Sequence, residues 1–255
     1  MIDKELIKKN FSRCAAHYDK YSNVQTLCAK DLIAKIKTDS FSRILEIGCG
    51  TGNYTQILRR KFPQAQIKAV DISLSMVKKA KEKIAQNNIE FIVADAEFID
   101  WPETFNLISS NVSLQWFSDL PRTFRRFKAL LNLGGEIGFS LFGPRTFFEL
   151  NEALQELHGE DTLIDASNFI EKNKLEEILR GVFKKVTAEE TIYQEEYNSL
   201  TELLAKIKYT GARGSAGNGG IVWTSATLAK LEKIYRTKFG NIKATYQAFF
   251  CKGIK

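Results

Sequence analysis

The spacing of apolar residues changes character twice along the chain, near residue 40 and again near residue 143. Over residues 3–38, apolar side chains recur close to the helical period in two runs. The first run includes Leu6, Ile7 and Phe11, and the second includes Val24 and Leu27. The chain is therefore predicted to begin with helices that each bury one apolar face.

Short β-branched runs alternate with helical patterns over residues 43–142. Pro63 ends one helix, and Ser73 has the side chain that caps the next. Strands are predicted over residues 43–47, 66–71, 89–94, 105–110 and 136–141, helices over 54–62, 74–87 and 120–131, and a turn over 132–135. Strands that alternate with helices pair in parallel through right-handed crossovers. The predicted fold class is α/β, with a doubly wound sheet that binds its ligand at the carboxyl ends of the strands.

Helical patterns predominate after Gly143-Pro144. Helices are predicted over residues 146–159, 168–180, 200–209 and 225–239, the last capped by Thr224 or Ser225, strands over 183–197 and 242–251, and a flexible glycine-rich loop over 211–220. We expect one domain over residues 1–255. Its parts would be an N-terminal helical lid (1–40), a cofactor-binding core (41–142), cap helices with a sixth strand (143–240) and a closing strand (241–255).

The composition is that of an ordinary globular protein, with 44% hydrophobic and 26% charged residues. No run approaches the ~20 apolar residues of a membrane-spanning helix. The start, Met1-Ile2-Asp3, lacks the apolar region of a secretory signal, so we expect a cytoplasmic protein without a membrane partner. The 4 cysteines are scattered without metal-ligand spacing, so neither a disulfide framework nor a metal site is predicted.

The chain has 37 basic and 30 acidic residues, which leaves a net charge of +7. This excess either serves solubility or suits a negatively charged partner: nucleic acid, an acidic protein or an anionic metabolite. The basic residues occur in short separate runs, without a compact tract that also contains aromatic residues. Nucleic acid is therefore not the expected partner.

A glycine-rich loop, Gly48-Cys49-Gly50-Thr51-Gly52, joins the first predicted strand to a helix. Glycines there allow positive φ angles and a close approach of ligand to backbone, and the helix N-terminus offers N–H donors. Asp71 ends the second strand, where a carboxylate can accept both hydroxyls of a ribose. A dinucleotide fingerprint would need a third glycine at Asn53. Glu46 can instead pair with a cationic amino-acid end, which favours S-adenosylmethionine over NAD.

Glu46-Ile47-Gly48-Cys49-Gly50-Thr51-Gly52, with Asp71 and Asp95 at strand ends, resembles the cofactor motifs of class I S-adenosylmethionine-dependent methyltransferases over residues 43–142. The resemblance implies a Rossmann-like seven-stranded sheet and S-adenosyl-L-methionine as cofactor. It places Asp71 on the ribose, and Asp95 with Ala96 on the adenine. The cofactor-binding residues implied are Gln25, Glu46, Gly48, Cys49, Gly50, Gly52, Asp71, Ile72, Met76, Asp95, Ala96 and Asn111.

Further motifs, within and outside the core, resemble those of the malonyl-acyl-carrier-protein O-methyltransferases of biotin biosynthesis. They include Phe11…Tyr18-Asp19, Asn111…Leu114-Gln115-Trp116, Lys208-Tyr209-Thr210-Gly211-Ala212 and Thr245-Tyr246. The resemblance implies a transferase that methylates the free carboxyl of malonyl-acyl carrier protein (or malonyl-CoA), the ester from which pimeloyl synthesis starts. Its partner would be an acidic carrier protein, which the positive net charge suits. A carboxyl methyltransferase for a small acid such as trans-aconitate is the alternative. An RNA methyltransferase or an inactive binding module would show a basic stripe or a broken cofactor loop.

The acceptor chemistry needs no general base, because a carboxylate is already ionised at pH 7. Neither His17 nor His158 is therefore assigned as a base, and alignment of the reactants is expected to supply the catalysis. The residues predicted to act on the substrate are Tyr18 as a hydroxyl donor, Asn111 and Gln115 as amide donors, and Arg145 as a bidentate anchor for the carboxylate, with Lys208 and Arg213 as rivals. Trp116 would exclude water from the site or else pack in the core.

Overall fold

The strands of the computed structural model, which describes residues 2–85, 87–211 and 223–255, form one mixed sheet. They are β1 (Arg43–Ile47), β2 (Gln66–Asp71), β3 (Ile89–Val93), β4 (Phe105–Asn111), β5 (Leu131–Phe142), β6 (Lys184–Tyr197) and β7 (Ile242–Ile254). Their order in the sheet is β3-β2-β1-β4-β5-β7-β6. The first five strands pair in parallel, whereas β7 runs antiparallel to both β5 and β6. The predicted α/β class with a Rossmann-like, seven-stranded sheet is confirmed.

Helices cover both faces of this sheet. They are α1 (Lys4–Cys14), α2 (Tyr18–Tyr21), α3 (Asn23–Lys35), α4 (Asn53–Lys61), α5 (Leu74–Lys83), α6 (Leu120–Leu130), α7 (Phe148–His158), α8 (Lys172–Arg180), α9 (Leu200–Tyr209) and α10 (Ser225–Phe239). Neighbouring residues of a strand serve opposite faces: Ile44 packs in the core with α3 and α4, and Leu45 in the core with α6 and α8. No helix in these described ranges combines the length and apolar composition needed to cross a bilayer.

Several predicted boundaries are wrong, each for a local reason. The turn at 132–135 lies inside β5, where a register shift accommodates Gly134 at φ 74°. The helix from residue 74 ends at Lys83 because Ile84 takes an extended conformation. The helix expected from 146 begins only after Phe147, which has a left-handed φ of 59°. The helix expected from 168 begins at Lys172, after a short 3-10 turn. The predicted loop at 211–220 lies outside the described residues from Ala212 onward.

The N-terminal helices divide into two kinds. Helix α3 belongs to the core, because Val24, Cys28, Ala29 and Leu32 are buried against the sheet. Helices α1 and α2 lie over the carboxyl end of the sheet instead. Ser12 of α1 meets the helix-capping Ser73, with their hydroxyl oxygens 2.9 Å apart. Of the predicted lid, α1 and α2 therefore lie over the edge of the sheet, whereas α3 packs into the core.

Candidate cofactor and substrate site

The chemistry-bearing residues of the core meet at the carboxyl ends of β1 to β4. The glycine loop follows β1, Asp71 is the last residue of β2, Asp95 follows β3, and Asn111 ends β4. Parallel strands bring these ends to one edge of the sheet, as the sequence predicts. The site is thus assembled from side chains that are far apart in the chain but adjacent in the sheet.

The three glycines of the loop have left-handed φ angles of 70°, 54° and 87° and different surroundings. A Cβ at Gly48 would lie 2.1 Å from the hydroxyl oxygen of Ser113, so close packing against the β4 segment excludes a side chain. A Cβ at Gly52 would lie 2.9 Å from Ile84, so this glycine lets α4 pack near the end of α5. A Cβ at Gly50 would meet no atom within 4 Å. Of the three, only Gly50 leaves open space beside the backbone, and a ligand can approach there.

Asp71 braces this loop and faces the ligand space. One carboxylate oxygen accepts a hydrogen bond from the Gly50 N–H at 2.9 Å, and the other accepts from the Ser73 N–H at 2.8 Å. Burial raises the pKa of Asp71, and these two donors oppose the shift. Each oxygen keeps a further lone pair, which suits it to receive the two hydroxyls of a ribose.

Glu46 lies in β1, two residues before the glycine loop. It is fully buried, and among the described residues neither carboxylate oxygen has a partner at hydrogen-bond geometry. Burial raises the pKa of Glu46 to about 8, and the negative charge of Asp71 acts in the same direction while the nearby Thr55 hydroxyl opposes both. Burial therefore favours the neutral carboxyl group, and a positive charge in the neighbouring loop would favour its ionised form.

Three cavities meet at this edge of the sheet. The narrow cavity, about 80 Å³, is lined by Gly48, Gly50, Asp71, Asp95 and Asn111, among others. The loop cavity, about 40 Å³, lies between the glycine loop and α3. The large cavity, about 600 Å³, lies under α1, α7 and α9 and has mostly apolar walls. Tyr18 lines all three, and burial raises the pKa of its hydroxyl, so that it stays protonated and can donate.

The narrow and large cavities share one boundary, formed by Phe11, Tyr18, Val112 and Trp116. Phe11 and Trp116 pack edge to face with ring centroids 6.3 Å apart, and Phe169 packs on the other side of Trp116 at 5.3 Å. A group held in the narrow cavity and a group held in the large cavity would therefore meet beside these aromatic rings.

Helix α1 covers the narrow cavity. The Lys4 ammonium lies 3.3 Å from a carboxylate oxygen of Asp95 and 2.8 Å from one of Glu97. It also lies 4.4 Å from the ring centroid of Phe117, which lines the same cavity. A ligand that donates a hydrogen bond to the Asp95 carboxylate would compete with Lys4. Sequence reasoning missed this contact, because nothing near Lys4 in the chain indicates which strand end it reaches.

Most residues predicted to bind the cofactor lie at the cavity walls. Ile72, Met76, Asp95, Ala96 and Asn111 line the narrow cavity, and Gln25, Cys49 and Asn111 line the loop cavity. Glu46 and Gly52 line none of the three, although both support the loop.

The residues predicted to act on the substrate have different placements. Tyr18 and Gln115 line the large cavity. Asn111 lines the narrow and loop cavities rather than the large one; its amide donates to the Gln25 carbonyl at 3.0 Å, and its side-chain oxygen accepts from the Ser140 hydroxyl at 2.8 Å. Lys208 lies at the exposed edge of the large cavity, and Arg213 lies outside the described residues.

The structure does not bring Arg145 to the site. Its backbone N–H donates to the side chain of Gln247 in β7 at 3.0 Å, and a turn from Gly143 to Thr146 directs its side chain outward. The guanidinium is exposed and lies 5.8 Å from the ring centroid of Phe148. The prediction that Arg145 anchors the carboxylate is therefore corrected: the chain turns away from the cavity after β5.

The two histidines do not form a catalytic pair. His17 is exposed and packs edge to face on Tyr209, with centroids 5.4 Å apart, and His158 is exposed at the end of α7. The described residues include no group of three or more His, Cys, Asp or Glu side chains that could hold a metal ion. The side chains of the site thus offer hydrogen-bond donors and acceptors together with apolar walls.

Comparison with known proteins agrees with this geometry. Residues 44–135 match a family model described as a methyltransferase domain. The chain is 37% identical over 243 residues to malonyl-[acyl-carrier protein] O-methyltransferase 1 of Ilyobacter polytropus, which covers 94% of this chain and 90% of the relative. It is 36% identical over 261 residues to malonyl-[acyl-carrier protein] O-methyltransferase of Bacillus anthracis, and this match covers 98% of this chain and 97% of the relative.

Solved structures share the fold at low sequence identity. The YcgJ protein of Bacillus subtilis superimposes with a TM-score of 0.63 at 16% identity, covering 90% of this chain and 98% of that one. The phosphoethanolamine N-methyltransferase 2 of Haemonchus contortus, solved in complex with S-adenosyl-L-methionine, gives a TM-score of 0.59 at 17% identity, covering 94% of this chain and 56% of that one.

Proposed function

The chain belongs to the malonyl-[acyl-carrier protein] O-methyltransferase family, and on that premise we propose that it methylates the free carboxylate of a malonyl group carried as a thioester by an acyl carrier protein. The product would be the malonyl methyl ester that starts pimeloyl synthesis for biotin. The observation that supports this most directly is the shared boundary of two unlike cavities at Phe11, Tyr18, Val112 and Trp116. One cavity suits a methyl donor, and the other suits an acyl chain.

S-adenosyl-L-methionine is the methyl donor, and the residues present fit it. Asp71 offers two carboxylate oxygens to the ribose, and the open space at Gly50 admits a ligand to the loop. Gln25 has a buried side-chain oxygen without a partner beside the loop cavity, where a cationic amino-acid end would supply a donor. The bound donor supplies a methyl group that its sulfonium has already activated.

The residues of the chain then have three tasks. Asp71 and the glycine loop bind and orient the donor. The aromatic rings of Phe11 and Trp116 exclude water, which otherwise solvates a carboxylate and weakens it as a nucleophile. Tyr18, a protonated hydroxyl at the junction, and Gln115, an amide in the large cavity, can donate hydrogen bonds that orient the acceptor carboxylate. Neutral donors of this kind position an oxygen without neutralising its charge.

The test is methyl transfer from labelled S-adenosylmethionine to four acceptors under identical conditions: malonyl-carrier protein, malonyl-CoA, trans-aconitate and tRNA. We expect the label to enter malonyl-carrier protein as a base-labile methyl ester. Succinyl-carrier protein, one methylene longer, shows how closely the site measures chain length.

Two results would contradict the proposal. Preferred methylation of trans-aconitate would indicate a methyltransferase for small soluble acids. Labelled tRNA would indicate a nucleic-acid substrate. A Tyr18→Phe variant, which keeps the ring, controls for the hydroxyl, and we expect it to lower kcat with little effect on donor affinity.

A further inference from the structure

The exposed rim of the large cavity has an unusual composition. Its exposed lining residues are Arg13, Leu163, Thr201, Lys208 and Trp223. Two are cations, and two are large apolar side chains, with Leu163 48% and Trp223 40% exposed. Asp165 is the sole acid among the described lining residues, and it is half-buried. Exposed aromatic and arginine side chains around a cavity are typical of a protein-binding surface.

The cations of the rim form no ion pair with an acidic side chain of the described residues. Within the described part of the chain, neither Arg13 nor Lys208 takes part in an ion pair, although many of the surface lysines and arginines do. Asp19, the nearest acid in sequence to Arg13, faces the glycine loop, where it accepts from Asn53 at 3.0 Å and pairs with Lys83 at 2.5 Å. The positive charge of the rim is therefore not compensated within the described chain.

The positive surface continues from the rim across α2. Tyr21 of α2 stacks on Tyr209 of α9 with centroids 4.8 Å apart. Lys20 lies 5.6 Å from the Tyr21 ring, and Lys208 lies 5.3 Å from the Tyr209 ring. This ring stack fixes the backbones that carry both ammonium groups. We call this set of three cations and two exposed apolar side chains the rim face: Arg13, Lys20, Lys208, Leu163 and Trp223.

We propose that the rim face is the docking surface for the acyl carrier protein. An acidic helix of the carrier would lie against Arg13, Lys20 and Lys208, and Leu163 and Trp223 would cover the apolar side chains at the base of its prosthetic arm. The phosphodiester of the arm would meet the same cations as the arm enters the large cavity. This inference rests on the proposed function, because it takes the carrier as the partner. An acidic carrier protein complements the positive charge of the rim face, which lies at the cavity mouth where the acyl arm would enter. A second copy of this chain, whose net charge is +7, would be repelled there.

The experiment compares two acceptors that carry the same malonyl thioester, malonyl-carrier protein and malonyl-pantetheine. In the variant R13E/K208E we expect the KM for malonyl-carrier protein to rise at least about tenfold, because two attractive contacts become repulsive. The KM for malonyl-pantetheine, which has no acidic protein surface, should stay within about twofold. Raising the salt concentration should increase the wild-type KM for malonyl-carrier protein toward that of the variant, since exposed charges are screened.

The matched control is R125E/K184E, which makes the same change in charge at two exposed positions that line none of the three cavities. We expect it to keep the wild-type KM for both acceptors. An unchanged KM of R13E/K208E for malonyl-carrier protein would overturn the docking proposal, and so would an equal loss with both acceptors, which would place the two cations inside the reaction.

Direct binding separates this proposal from the proposed function. The dissociation constant of holo-carrier protein, without a malonyl group, is measured for the wild type and for both double variants by isothermal calorimetry. If R13E/K208E alone binds holo-carrier protein more weakly, docking at the rim face is supported even if malonyl transfer fails. If the wild type does not bind holo-carrier protein, docking at the rim face is overturned even if malonyl-pantetheine is methylated.

Discussion

The carboxyl group of Glu46 should make the stability of the protein depend on pH near neutrality. Glu46 is fully buried without a hydrogen-bond partner, and burial raises its pKa to about 8 from 4.5. The folded state therefore keeps a proton that the unfolded chain has lost over this interval. Stability then falls as the pH rises from about 4.5 toward about 8, because unfolding releases the group into water where it can ionise.

The size of the effect follows from the difference of about 3.5 pH units between the two states. At 1.36 kcal/mol per unit, ionising Glu46 in the folded protein costs on the order of 5 kcal/mol. Only part of this cost appears between about pH 6 and about pH 8. Over that interval the linked ionisation of Glu46 should lower the free energy of unfolding by about 2 kcal/mol.

The assay is urea unfolding followed by tryptophan fluorescence at several pH values across that interval. Glu46→Gln, which is neutral at every pH, should reduce the fall to below about 1 kcal/mol and leave the protein more stable than the wild type at about pH 8. Glu160→Gln makes the same substitution at an exposed position and should leave the fall in the free energy of unfolding intact. If the wild type and Glu46→Gln show parallel stability profiles, Glu46 is already ionised or hydrated in the fold, and the reasoning from its burial fails.

Three further predictions concern the donor site. Asp71→Ala removes a charged acceptor from the ribose and should weaken S-adenosylmethionine binding by about 1.5–3 kcal/mol per lost bond in calorimetry, so an unchanged affinity would refute the ribose contact. Gly48→Ala should destabilise the protein by at least about 1–2 kcal/mol in thermal unfolding, because the new Cβ meets Ser113 and the φ angle is left-handed. Adding Ser113→Gly should recover the part of the loss that comes from the steric contact. No recovery would show that the backbone strain at residue 48 accounts for the whole loss. Deleting residues 2–16 removes α1 but keeps the core helix α3. The deletion should abolish binding of the methyl donor in calorimetry, while the circular dichroism spectrum stays near that of the wild type. Normal donor binding would show that α1 does not cover the donor site.

The parts of the site that could be predicted from sequence are those fixed by the order of strands and helices along the chain. Gly50, Asp71 and Asp95 lie at the ends of parallel strands, and the alternation of strand and helix brings such ends to one edge. Gly52 shares the same motif, but its role is to let α4 approach Ile84, which the spacing of glycines does not reveal.

The parts that could not be predicted depend on contacts between distant segments. The direction of Arg145 is set by the hydrogen bond that its backbone N–H donates to the side chain of Gln247, a residue of β7 about a hundred positions later in the chain. Arg13 and Lys208 become neighbours of one cavity because α1 and α9 both pack over it. Neither position carries a local pattern that distinguishes it from other surface cations.

The position of β7 between β5 and β6 sets an order of assembly during synthesis. Every strand of the donor site emerges from the ribosome before β7 and can pair with a parallel neighbour as soon as that neighbour appears. The wall of the large cavity near Phe147 is instead tied to β7, through hydrogen bonds from Gly143 to the Gln247 carbonyl at 2.8 Å and from Phe147 to the Thr245 carbonyl at 2.7 Å. A nascent chain can therefore complete the pocket for the methyl donor while the pocket for the acyl group is still missing one side.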